Sequence, residues 1–253
     1  MMDSVLLFLD DAEIDIFEIL DLADKMEMPI NKLQPTLESL VKRGLLSRIE
    51  KGKYCRHDFR NEYVIGNFLA PGGAVAYWSA LNLHGLTNQF PNTVFVQTPK
   101  LKLKKTVFGV AYHFVKVKPT KVSGYERTGY GNNAFWITNI EKTIVDCFDL
   151  PAYNGGYSEL IYALNNAKLN SQKLIEAAKA VDNIAVTKRL GYLIELLQKN
   201  SLNKFKAFAL SCVNDKYNVI DPQGNECGEF NAKWKLRLNV SEQSILAMSR
   251  NNY

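Results

Sequence analysis

Four polar side chains, Asn31, Lys32, Gln34 and Thr36, stand just ahead of a run of cations at Lys42, Arg43, Arg48, Lys51 and Lys53. The chemistry open to such a set is recognition. Short amides and hydroxyls near a helix start can pair with base edges in a major groove. Lysine and arginine neutralise phosphates and release counterions. The residue types that break bonds are scattered by comparison. His57, His84 and His113 are isolated, and none has the i,i+4 partner a metal ligand wants. His84, in Leu83-His84-Gly85-Leu86, is expected to be a packed helix-end histidine. No nucleophile elbow, phosphate loop, dinucleotide fingerprint or zinc-helix motif occurs. Asp221, Glu226 and Glu229 suggest a metal site at first sight, but Pro222, Gly224 and Gly228 read as turns and the acids as solvated. No catalytic residue, metal or cofactor is expected, and the chain does not read as an enzyme.

The cations need elements to aim them. Leu33, Leu37, Leu40 and Val41 recur at helical spacing. Pro35 is tolerable only in a first turn, which places the helix start between Asn31 and Gln34. Lys42 and Arg43 suit a helix C-terminus, and Gly44 can then turn left-handed. Leu45–Ile49 and Tyr54–Arg56 read as two strands joined by Lys51-Gly52-Lys53. Upstream, Ile16–Met26 reads as an amphipathic helix, and Val5–Leu9 as another. Three helices and a basic hairpin make a winged helix-turn-helix, which sets its recognition helix in the major groove and its wing beside the phosphates.

Composition sets outer limits. The 253 residues carry a net charge of +5 and 47% hydrophobic residues, enough for a sizeable core. No apolar run is long enough for a membrane span, and the acidic N-terminus does not read as a signal peptide. Cys55, Cys147, Cys212 and Cys227 form no paired motif and read as reduced, mostly buried thiols of a cytoplasmic protein. Charge reverses along the chain. The first thirty residues hold nine acids and Lys25 alone. The next thirty hold Lys32, Lys42, Arg43, Arg48, Lys51, Lys53, Arg56 and Arg60. The acidic part is expected to face away from DNA. A winged helix serving as a protein-binding scaffold is the plainer alternative.

Residues 57–66 read as a linker between a domain of residues 1–60 and a larger mixed domain of residues 67–253. In the latter, a helix is expected over Ala74–Leu83 and strands over Asn92–Thr98, Thr106–Val117 and Ala134–Thr138. Thr138-Asn139-Ile140-Glu141 fits a capping box opening a helix to Phe148. Helices follow over Tyr157–Ala167, Ser171–Val181, Ala185–Lys199 and Asn203–Val213, with Gly191 marking close packing. Tyr217–Ile220 and Lys233–Val240 close the chain as strands, and the tail after Ser241 is expected to fray. On the last strand Lys233, Lys235 and Arg237 would share one face. They and the segment Lys100, Lys102, Lys104, Lys105 are candidate surfaces for a DNA backbone or an acidic partner. The fold class is α/β in the α+β sense: an N-terminal winged helix-turn-helix followed by a mixed α/β domain.

Several fragments, in order, resemble the AbiEi family, the antitoxin and transcriptional regulator of AbiE-type (type IV) bacterial toxin–antitoxin systems of phage defence. They are Val41-Lys42-Arg43-Gly44-Leu45-Leu46 with Lys51-Gly52-Lys53-Tyr54, Ser79-Ala80-Leu81-Asn82-Leu83-His84-Gly85-Leu86, and Phe95-Val96-Gln97-Thr98-Pro99. Further on they are Ile140–Cys147, Arg189-Leu190-Gly191-Tyr192-Leu193, and Ile220-Asp221-Pro222 with Trp234. The acidic N-terminal region departs from the family. The resemblance implies a repressor of its own promoter whose second domain neutralises a nucleotidyltransferase-like toxin. The expected partners are double-stranded DNA, with dimerisation on it, and that toxin. No membrane partner is expected. The alternative is a stand-alone winged-helix regulator whose second domain binds a ligand or protein.

Overall fold

A computed structural model describes residues 2–250. The first helix, α1 (Met2–Asp11), buries Val5 and Leu9. Ile16–Glu18, expected to open a helix, is instead a strand, β1, and helix α2 is confined to Ile19–Lys25. Pairing with a later strand causes the change: Phe17 lies opposite Tyr54, and the two rings stack 5.9 Å apart. Helix α3 (Ile30–Lys42) starts one residue earlier than expected. Pro29 presets its entry, its carbonyl accepting from the N–H groups of Lys32 and Leu33. Pro35 therefore lies inside the helix, on an exposed face. Gly44 takes the left-handed turn at φ +71°. Strands β2 (Leu46–Glu50) and β3 (Lys53–Arg56) form the wing, in a sheet of order β1-β3-β2. Leu22, Leu33, Leu37, Leu40 and Leu46 are buried between helices and sheet.

The second half of the expected linker is helix. Asn61 accepts from the N–H groups of Tyr63 and Val64, both at 3.2 Å, and so caps α4 (Glu62–Leu69). The helix expected from Ala74 starts late, because Ala74–Val75 is a strand, β4, held between two others. Helix α5 is Tyr77–Leu83. Strand β5 (Thr93–Thr98) matches expectation. The strand expected over Thr106–Val117 is a hairpin, β6 (Lys105–Val107) and β7 (Val110–Lys116). Phe108 and Gly109, at φ +51° and +83°, turn it, as a two-residue connection between right-twisted strands requires. Strands β8 (Tyr125–Thr128) and β9 (Phe135–Thr138) complete a sheet of order β6-β7-β5-β4-β9-β8, parallel at β5/β7 and β4/β9.

Helix α6 (Ile140–Asp149) is capped by Asn139, not by Thr138. The Asn139 side chain accepts from Lys142 N–H at 2.8 Å. Glu141 does not reach back but accepts from Asn170 N–H, 2.7 Å away, so no capping box forms. Helices α7 (Tyr157–Asn166), α8 (Ser171–Val181), α9 (Ile184–Leu196) and α10 (Asn203–Ser211) follow close to expectation. A small sheet then holds β10 (Asn218–Val219), β11 (Glu229–Asn231) and β12 (Leu236–Leu238) in the order β10-β12-β11. The expected last strand is thus reduced to three residues. The tail expected to fray is helix α11 (Glu242–Met248), with Ser241 capping it and Ile245 buried. Residues 251–253 of that tail lie outside the described part. Among the described residues, no helix is long and apolar enough to cross a membrane.

The six-stranded sheet is covered on both faces. Val94, Val96, Tyr112, Phe114, Phe135 and Ile137 form one cluster with Val64, Ile65 and Leu69 of α4, and with Ile49, Cys55 and Phe59 from the wing and the residues after it. The expected boundary between residues 60 and 67 falls inside this cluster. Phe95 and Val115 point the other way, toward the core formed with α6 to α10.

Under α6 that second face is polar. Lys142 and Asp146 form a buried ion pair one helical turn apart. Gln97 donates to Asp146 at 2.9 Å and to the Tyr77 hydroxyl at 3.1 Å, and Tyr125 donates to Gln97 at 3.1 Å. Burial pushes the Asp146 carboxyl up, while Lys142 and Gln97 oppose the shift. Asp146→Ala should cost about 3–5 kcal/mol, because it leaves an uncompensated ammonium inside, and denaturant unfolding measures it. Gly191 is the packing counterpart. A Cβ there would stand 2.5 Å from the Trp234 ring and 2.8 Å from the Ala209 methyl. Gly191→Ala should cost about 1–3 kcal/mol through overpacking, against the small gain its helix propensity alone would give.

Candidate nucleic-acid interface

On α3 the buried residues Leu33, Thr36, Leu37 and Leu40 define the inner face. Helical spacing then aligns Asn31, Gln34, Pro35, Glu38 and Lys42 on the outer one, all exposed. Lys32 is exposed beside this stripe. Thr36 does not belong to it. Its hydroxyl donates to the Lys32 carbonyl at 3.1 Å and its side chain faces the core, so the expectation that Thr36 reads a base is corrected. Glu38, unremarked in the sequence, holds the middle of the stripe and accepts from the Gln34 amide at 3.1 Å. A carboxylate there can accept from a cytosine amine but repels phosphate. Lys42 and Arg43 stand about 16–18 Å from Asn31, given the 1.5 Å rise per residue, and both are exposed.

The wing carries fewer free cations than its sequence advertises. Arg48 and Lys51 are exposed, and Arg48 Nε donates to the Glu50 carbonyl at 3.4 Å. Lys53 is corrected: it turns inward, 3.0 Å from Glu18, donating to the Phe68 carbonyl at 2.9 Å and lying over the Phe68 ring. Arg56 pairs with Asp10. The acidic segment therefore neutralises part of the basic one inside the same module, a pairing that only long-range contacts create.

The second domain returns charge to this surface. Lys102 reaches Glu50 at 3.0 Å and Lys105 lies 4.0 Å from it. Lys102 also sits over the Phe114 ring. Burial pulls the Lys105 ammonium below its ordinary value, Glu50 opposes that, and Lys102, Lys53 and Arg48 add to it. Arg48, Lys102 and Lys105 thus gather around Glu50.

The other basic candidate dissolves. Lys233 and Lys235 lie in the turn before β12, and Arg237 alone is on a strand. Asn231 accepts from Trp234 N–H at 2.9 Å to build that turn, and Lys235 is left-handed at φ +49°. Lys233 pairs with Glu195 at 2.7 Å and so holds that carboxyl below its usual range. Lys235 covers Tyr217, and Arg237 covers Phe230. The expected single-faced stripe is absent because the strand that would align it is too short.

The residues weighed in the sequence as ligands or metal-binding acids have other places. His84 donates from Nε2 to the Thr138 carbonyl at 2.7 Å, at the end of α5. Asp221 accepts from Gln223 N–H at 2.9 Å within its turn, and Glu226 and Glu229 are exposed. Among the described residues, no group of three His, Cys, Asp or Glu side chains is placed to hold a metal. Cys55 and Cys147 are buried, Cys212 half-buried and Cys227 exposed; burial pushes the Cys55 thiol up to about 11.

The whole arrangement has a structural counterpart. The crystal structure of the RV2827C protein from Mycobacterium tuberculosis superposes with a TM-score of 0.62 over 96% of this chain and 93% of that one, at 13% identity. The two chains share a fold, mixed α and β. No family model matches the sequence, and no curated protein does.

Glu50 is the hinge of this surface, and its pairs are partly exposed, in a class that contributes about 0–1 kcal/mol. Glu50→Gln should leave the melting temperature nearly unchanged yet speed amide hydrogen exchange in residues 100–105. Unchanged exchange there would mean that the lysine segment is held by its own backbone.

Proposed function

We propose that this protein is a sequence-reading binder of double-stranded DNA, and that it acts as the antitoxin and autorepressor of an AbiE-type pair. The observation that carries the DNA reading is the exposed stripe Asn31, Gln34 and Lys42 on α3, with Arg48 and Lys51 on the neighbouring wing. Gln34 and Asn31 are bidentate-capable amides suited to adenine edges. Lys32, Lys42, Arg43, Arg48 and Lys51 supply phosphate contacts, and the exposed Lys100 extends them beyond the wing. The antitoxin part rests on the resemblance to AbiEi sequences, with the second domain as the neutralising part and a nucleotidyltransferase-like toxin as its target. A cytoplasmic location fits both roles.

Because wing and sheet share a core, the test uses full-length point variants. A binding site selected from random duplexes should lose affinity uniformly with Arg48→Ala or Lys51→Ala, and each should reduce the salt slope by about one. Lys53→Ala should leave that slope alone, since its ammonium is engaged internally. Gln34→Ala should relax base preference at one position by roughly 1–3 kcal/mol. Glu38→Gln should strengthen binding at low salt. No enriched sequence, or an unchanged slope in the Arg48/Lys51 double variant, would sink the DNA reading. The antitoxin reading is tested separately, by whether the chain relieves growth inhibition by a nucleotidyltransferase-like product encoded beside it.

A further inference from the structure

On the side of the six-stranded sheet that faces α6, the β6 edge extends past the helices and leaves an open pocket of about 620 Å³. The strand register decides what lines it. Phe95 lies beside His113 and Thr93 beside Ala111 in the parallel β5/β7 pair. Thr106 lies opposite Ala111 across the β6/β7 hairpin. Side chains alternate along a strand, so Lys105 turns toward Glu50 on the wing side while Lys104 and Thr106 are left to the pocket side. The turn after α6 brings Tyr153 over this face, edge-on to His113 with ring centroids 5.0 Å apart, and 5.9 Å from Phe95. Ala111 keeps the floor low.

The polar groups here are unspent. Among the described residues, the Lys104 ammonium, both ring nitrogens of His113 and the hydroxyls of Thr93 and Thr106 have no hydrogen-bond or ion-pair partner. Burial, and then the Lys104 charge, hold His113 below the usual histidine range. At neutral pH its ring is therefore uncharged and offers one donor and one acceptor. Three aromatic rings provide stacking surface, the Lys104 ammonium provides an anion contact, and Thr93 and Thr106 provide two hydroxyls. The pocket falls within the roughly 300–1,000 Å³ range of small-molecule sites.

We propose that this pocket binds a nucleotide, its base against Tyr153 and His113, its phosphate at Lys104 and its sugar hydroxyls at Thr93 and Thr106. A planar aromatic acid would use the rings and the lysine but leave both threonines unpaired. The space also exceeds what one ring needs. The nucleotide can come free or as part of a single strand, since the pocket opens beside the lysine segment at residues 100–105. This site is separate from the α3 stripe and does not rest on the duplex reading.

The chain has three histidines, so the imidazole C–H proton signals can be assigned with His113→Gln and followed in the full-length protein. Titration with 5′-AMP or 5′-UMP should shift the His113 signals saturably and leave those of His57 and His84 in place. Adenosine and inorganic phosphate should each bind at least about tenfold more weakly, the worth of one charge-assisted contact. Lys104→Glu and Lys104→Gln should weaken the nucleotide by a similar factor, with unmoved His57 and His84 signals reporting an intact fold. Saturation by the free nucleotide assigns a soluble ligand. Saturation only by a short oligoriboadenylate, which keeps its 2′-hydroxyls, lost in the Lys104 variants, assigns a nucleotide within a strand. The proposal is overturned if no nucleotide or oligonucleotide moves His113, if Lys104 variants bind as well as wild type, or if 4-hydroxybenzoate binds as tightly as 5′-AMP.

Discussion

The wing hairpin cannot stand away from the rest of the chain, because its inner face is apolar and buried. Ile49 and Cys55, with Phe59 just beyond, pack against Val96, Tyr112 and Phe114 of the large sheet and Ile65 of α4. Burying side chains such as isoleucine or phenylalanine contributes about 1.5–3 kcal/mol each. The polar links across the same junction, Lys102 to Glu50 and Lys53 to the Phe68 carbonyl, belong to a class worth less. Apolar burial therefore holds the two parts together, and the ion pairs set the local arrangement of charge. α3 follows, since Leu33, Leu37 and Leu40 pack in the same module as Leu46 and Tyr54 of the wing. The orientation of the exposed α3 stripe is thereby tied to the six-stranded sheet.

That rigidity shapes the electrostatics. A projecting wing would have offered Lys53 to phosphate, whereas the docked wing spends it on Glu18 and Phe68. Asp10 removes Arg56 in the same way. The cations left on the outer surface are few, and Glu38 sits among the polar groups of α3. Such a face offers little charge to a phosphate backbone, so the proposed DNA reading depends more on base contacts and on Lys100 beside the wing. The large sheet is thus part of the charged surface as well as of the core that holds the wing.

The core below α6 shows the same division between apolar and polar tasks. Lys142 and Asp146 are expensive to desolvate, and a well-packed apolar pair of similar size would often serve stability as well. Here the pair engages Gln97 from β5, which also bonds Tyr77 and Tyr125. The network joins a central strand, the start of α5, the edge strand β8 and α6 at one point. It fixes the register of α6 on the sheet, and the turn after α6 then carries Tyr153 over the pocket at the β6 edge.

The sequence by itself determined the elements whose evidence is local. α3, with its apolar spacing and left-handed Gly44, was readable, as were β2, β3 and β5, helices α7 to α10, and the tight place at Gly191. Each depends on neighbours within a few residues or on a period that burial of one face imposes. What only the tertiary structure decided depends on partners far along the chain. Ile16–Glu18 is a strand because Phe17 meets Tyr54. Ala74–Val75 is a strand because two others flank it. Glu141 leaves its expected cap for Asn170. The same holds for the sites. Asn31, Lys32, Gln34, Lys42, Arg43, Arg48 and Lys51 are exposed as their spacing suggests. Thr36 falls on the i, i+3, i+4, i+7 inner face of α3, which the helical period itself defines, whereas Lys53 is withdrawn by an ion pair that no local pattern encodes. Lys104, His113 and Tyr153 are forty-nine positions apart end to end, and only the pairing of β5, β6 and β7 and the turn after α6 bring them to one pocket. Local propensity acts over a turn or two, whereas strand pairing and burial act across the whole chain.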